Sequence, residues 1–86
     1  MEVSKLNERI KVRADFTPGG QVTPLLFKRG GCDVFRVKEV NAAWEEREAQ
    51  GKQLYFSVRV AQSADVYQLR YREYDRTWWI DAVLMD

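Results

Sequence analysis

Between Glu8 and Phe16, apolar and polar residues alternate without a break. Ile10, Val12, Ala14 and Phe16 fall on one side, and Arg9, Lys11, Arg13 and Asp15 on the other. A period of two marks a half-buried strand. Thr17-Pro18-Gly19-Gly20 ends it, because proline removes a ladder donor and glycine admits positive φ. A second strand is expected from Thr23 to Arg29 and a third from Cys32 to Val40, turning at Gly30-Gly31. A two-residue Gly-Gly turn would oppose Phe27 and Val34. A three-residue loop, Gly30 to Cys32, instead pairs Leu25 with Val37, Phe27 with Phe35 and Arg29 with Asp33, and is preferred because it gathers the phenylalanines on one face.

The segment from Asn41 to Gly51 breaks the alternation. Asn41 suits an N-cap, Ala42 to Gln50 holds no β-branched residue, and Glu45 and Glu46 suit a helix dipole. Gly51 suits the position after a helix end. A short helix is therefore expected here, anchored to the sheet through Val40 and Trp44.

Alternation resumes in three runs: Leu54 to Ala61, Val66 to Tyr74 and Thr77 to Met85. Two-residue turns at Ser63-Ala64 and Asp75-Arg76 give three mutually consistent core rows: Phe56–Tyr71–Ile80, Val58–Leu69–Ala82 and Val60–Tyr67–Leu84. The opposite face then reads Tyr55–Arg72–Trp79, Ser57–Arg70–Asp81 and Arg59–Gln68–Val83. Arg70 and Asp81 form a cross-strand charge pair, and Arg72 lies between two rings.

Cations collect on the same side of the sheet. Arg9, Lys11 and Arg13 form a row on the first strand, with Arg36, Lys38 and Arg59 on later ones. Together with Tyr55, Arg70, Arg72 and Trp79, they have the composition of a surface on which phosphates meet cations and bases stack on rings. The same residues have a plain structural use, since Lys and Arg guard exposed strands and lie over neighbouring rings. The binding candidates are Tyr55, Arg70, Arg72, Trp79, Arg9, Lys11 and Arg13.

Length and composition narrow the choice. Eighty-six residues with a 45% apolar fraction suffice for a single domain with one core. A net charge of +1 is too small to name a nucleic-acid partner by itself. Histidine is absent, so the usual neutral-pH base and the commonest metal ligand are both missing. The lone Cys32 has no thiol partner for a disulfide and no histidine to activate it, which suggests a cytosolic chain. Neither a membrane span nor a secretory signal is expected. Catalysis, a bound metal and a cofactor are likewise not expected.

Phe27 to Val40 (FKRGGCDVFRVKEV) followed by Trp44, then Leu54 to Val60 (LYFSVRV), Val66 to Glu73 (VYQLRYRE) and Thr77 to Leu84 (TWWIDAVL) resembles a family of small bacterial domains. These occur alone or at the C-terminal end of Y-family, damage-bypass DNA polymerases. The resemblance covers most of the chain beyond residue 24 and rests on the type and order of features. It implies an accessory domain near DNA metabolism, with no catalytic residue to carry over.

The expected fold is mainly β or α+β: about six antiparallel strands in one strongly twisted sheet, curling toward a small open barrel, with one short helix. The expected function is a non-catalytic binding module for single-stranded nucleic acid or a DNA-metabolism protein. The alternative is a protein-interaction module, a monomer or weak homodimer that buries the Tyr55–Trp79 face or pairs edge strands.

Overall fold

A computed structural model describes residues 2 to 85. Its elements are β1 (Glu2–Phe16), β2 (Val22–Arg29), β3 (Asp33–Glu48), β4 (Gly51–Val60), β5 (Val66–Arg72) and β6 (Thr77–Met85). All neighbours are antiparallel, and β6 returns to β1 so that the sheet closes into a barrel. Two long strands make closure possible. β1 pairs with β6 along its first part, from Glu2 to Ile10, and with β2 along its second, from Lys11 to Phe16. β3 pairs with β2 only as far as Arg36 and with β4 thereafter. Bulges between Lys5 and Glu8 and between Arg13 and Ala14 interrupt β1 as it bends from one partner to the other.

The interior is built from the expected apolar sets. Phe27, Val58, Leu69 and Ile80 are fully buried. Phe27 stacks on Phe35 at 5.3 Å between centroids and meets the Tyr67 ring edge-on at 5.2 Å. Toward the other end, Tyr71 and Trp78 lie 4.7 Å apart, with Phe56 and Phe16 against them. Such ring pairs add to their area burial when tilted or offset in this way.

The β2–β3 register is the preferred one, with Phe27 opposite Phe35 and Arg29 opposite Asp33. The ladder stops at Leu26–Arg36, so Leu25 and Val37 are not partners. The last two hairpins slip by two residues, and past Ile80 a bulge in β6 reverses the expected faces: Val83, expected outward, is buried opposite Tyr67, while Ala82 and Leu84, expected inside, oppose Gln68 and Val66. Phe56 opposes Leu69 rather than Tyr71, and Val58 opposes Tyr67 rather than Leu69. Tyr71 opposes Trp78, and Leu69 opposes Ile80. The core rows are therefore Leu54–Tyr71–Trp78, Phe56–Leu69–Ile80 and Val58–Tyr67–Val83.

Both turns are longer than two residues, for separate reasons. After β4 the chain stays with β3: Ala61 N–H donates to Arg36 C=O at 2.9 Å, and Gln62 Nε2 donates to Val34 C=O at 2.7 Å. Before β6, Arg76 takes a left-handed φ of 58° in a turn that follows Arg72.

The expected helix does not form, and no helix occurs among the described residues. Ala42 to Glu48 continues β3 and pairs in unbroken register with Ser57 to Gly51. Gly51 does need its special backbone, at φ 143°, but as part of a hairpin turn. A Cβ there would also sit 3.2 Å from Tyr74 Cβ.

Candidate functional site

The two-residue slip rewrites the outward row. Trp44, Tyr55, Arg70, Trp79 and Arg9 lie abreast across five strands, β3, β4, β5, β6 and β1. Arg70 therefore takes the place expected for Arg72. Arg72 sits in the next row, between Gln53 and Thr77, yet on the same side as Trp79, with its guanidinium carbon 4.9 Å from the indole centroid. Arg70 approaches the same ring at 5.5 Å. Trp44, expected on the helix, instead stacks nearly parallel on Tyr55, 5.5 Å between centroids.

The two arginines that lean on Trp79, Arg70 and Arg72, are held by internal partners. Arg70 Nε donates to Asp81 Oδ1 at 3.0 Å, and its terminal nitrogens donate to Gln53 Oε1 at 3.3 Å and Asn7 Oδ1 at 3.0 Å. The sequence-predicted Arg70–Asp81 pair is thus present. Burial raises the Asp81 pKa above the usual aspartate range, against the pull of Arg70. Arg72 donates to Thr77 Oγ1 at 3.2 Å and Asp75 Oδ2 at 2.7 Å. The same hydroxyl accepts from Trp79 Nε1 at 2.9 Å and donates to Asp75 Oδ1 at 2.7 Å. The Thr77 hydrogen bond, joined by the charge of Arg72, pulls the Asp75 pKa below its ordinary value. Arg70 and Arg72 are thus neutralised within a polar network, whereas Arg9, at the end of the row, has no ion-pair partner among the described residues.

Four cations without ion-pair partners lie together round the corner of the barrel. Past Ile10, β1 parts from β6, and a groove of about 830 Å³ opens beside the β5–β6 turn. Arg9, Lys11, Lys28 and Arg76 line it together with Phe16, Tyr71 and Trp78, and no carboxylate does. None of these four cations has an ion-pair partner among the described residues. Lys11 and Lys28 stand directly opposite one another on β1 and β2. Like charges so placed are destabilising in an antiparallel pair. Phe16 is 58% exposed at the groove, its ring edge-on to Tyr71.

Of the sequence candidates, Arg9 joins the groove to the Trp79 row, and Lys11 lies in the groove. Arg13 continues the exposed side of β1 outside it, opposite Leu26. Lys28 and Arg76 were not among the candidates. Lys28 follows only from the bulged β1–β2 register, and Arg76 only from the longer turn. Farther along β1, Glu8 and Arg29 form a two-pronged pair at 2.9 Å, and this hydrogen bonding lowers the Glu8 pKa. No group of histidine, cysteine or acidic side chains suited to a metal occurs among the described residues. No helix long and apolar enough to cross a membrane occurs among the described residues. Comparison of the chain with family models, curated proteins and solved structures finds no match.

Proposed function

We propose that this chain is a non-catalytic module that binds single-stranded nucleic acid in the groove between β1, the β2–β3 turn and the β5–β6 turn. The observation that carries this reading is the opposed Lys11–Lys28 pair, flanked by Arg9 and Arg76 with no carboxylate in the lining. A phosphodiester backbone would turn that repulsion into attraction. The exposed Phe16 ring favours a single strand, because only unpaired bases offer a face for stacking. Trp79, adjoining Arg9, extends the surface toward the aromatic row. The resemblance to domains attached to damage-bypass polymerases agrees with work on or near DNA.

Fluorescence anisotropy with a labelled single-stranded oligonucleotide tests the proposal. Wild type should bind at low salt. Four phosphate contacts should give a log–log salt slope of about −3, at roughly −0.7 per contact for single strands. Reversing both lysines, Lys11→Glu with Lys28→Glu, should weaken binding at least about tenfold, and Trp79→Ala should weaken it less. An unchanged anisotropy with tens of micromolar wild-type protein removes the reading.

A further inference from the structure

A second surface, independent of the basic groove, lies on the far part of β3. Beyond Arg36 the strand has β4 on one side and no partner on the other. Every residue from Asn41 to Glu48 is exposed. Bulges at Lys38 and Asn41 break the nearer part of that edge, which is the usual way a strand is kept from pairing with strangers. From Ala42 to Glu48 no bulge, proline or lysine remains to guard it. A regular edge of this kind presents alternate N–H and C=O groups at ladder spacing.

The surroundings of this edge specify what would pair with it. On its inner side Ala43 borders a cleft of about 290 Å³, whose walls include Val22, Leu54 and Phe56. On its outer side Glu46 and Glu48 have no cation within ion-pair distance among the described residues, while on the inner side Glu45, opposite Leu54, shares Lys52 with Glu73. Arg47 is the one cation from Ala42 to Glu48. Side chains of an added strand alternate between these two environments. One set meets Glu46 and Glu48, and the other meets a mixed cleft in which Val22, Leu54 and Phe56 give an apolar patch beside Glu45 and Lys52.

We propose that the Ala42–Glu48 edge binds an extended basic peptide segment by strand addition, with lysine or arginine facing Glu46 and Glu48 and a small branched apolar side chain entering the cleft beside Ala43. Main-chain hydrogen bonds supply attachment, and the alternation supplies selectivity. The segment's own residues favour a helix, so a second neighbour reinforces a strand that local propensity alone would not hold.

The probe is an end-blocked peptide of alternating lysine and valine, tested against the full chain by Trp fluorescence and amide hydrogen exchange. Saturating peptide should slow exchange within Ala42–Glu48 at least tenfold. The double variant Glu46→Lys with Glu48→Lys should bind at least tenfold more weakly. A peptide N-methylated on alternate backbone nitrogens, which leaves the protein untouched, should lose binding. Unchanged exchange at millimolar peptide, or equal binding by the methylated peptide or the charge-reversed protein, overturns the proposal.

Discussion

Arg70 works as an external clasp. From β5 it reaches Asp81 on β6, Gln53 on β4 and Asn7 on β1, and it leans on the Trp79 ring. Gln53 is only 4% exposed although it points away from the core, because this network covers it. Removing the guanidinium leaves a buried amide oxygen and a partly buried carboxylate without their donor. Arg70→Ala should therefore cost about 2–3 kcal/mol in urea unfolding, as expected for hydrogen bonds to charged groups. Arg72→Ala should cost about 1 kcal/mol or less, since Asp75 lies in an exposed turn. The Arg70–Asp81 pair was legible in the sequence even though the register behind it was two residues out. A bulge in β6 shifts the ladder at that point, and a guanidinium spans the difference.

Among the elements, β3 separates what alternation can reveal from what it cannot. Asn41 to Gln50 holds good helix formers and no alternating apolar set, yet it is strand up to Glu48. A ten-residue helix is marginal unaided, and here β4 offers an unbroken ladder with a Trp44–Tyr55 stack. Tertiary pairing overrode local preference. The residue type can test this directly: Ala42→Thr, on an exposed outward position, should raise stability by about 0.5 kcal/mol in a strand, within the roughly 1 kcal/mol span of β-propensity. A helix would respond with a loss, read from the same denaturation midpoint.

The hairpin registers failed for a different reason. A slip of two leaves the side chains up to Ile80 on their own faces, so the apolar pattern is blind to it. The bulge beyond Ile80 turns Val83 inward in place of Ala82 and Leu84, which alternation alone does not foresee. Contacts of Ala61 and Gln62 with β3, and the left-handed Arg76, set the true register. Where faces alone mattered, as for Ile10, Phe27 and Ile80 inside, the alternation read correctly.

Taken whole, the molecule hides a strong charge asymmetry behind a net charge of +1. Four unpaired cations cluster without a carboxylate where β1 changes partners, and three acids, with Arg47 among them, gather on the β3 end of the β3–β4 hairpin. Closure explains the separation: β1 and β3 each run past one neighbour, leaving a basic corner on one and a bare acidic edge on the other. The basic groove was only half visible beforehand, because it requires the ring of strands rather than any one of them. Added salt should accordingly weaken both an anionic ligand at the corner and a cationic one at the edge, since screening acts on either sign of attraction.

Pairing of Glu2 with Met85 has a practical corollary. Residues opposed in an antiparallel ladder lie about 5 Å apart, so a brief glycine tether could join the two extremities without bending either strand. Cutting instead between Ser63 and Ala64, in an exposed stretch, would create a circularly permuted chain with the same order of neighbours around the ring. Its melting temperature should fall within about 6 °C of the parent, the shift that roughly 1 kcal/mol produces in a domain this small. Such rearranged versions would let this barrel be grafted into a host loop, entering and leaving the host at almost the same point.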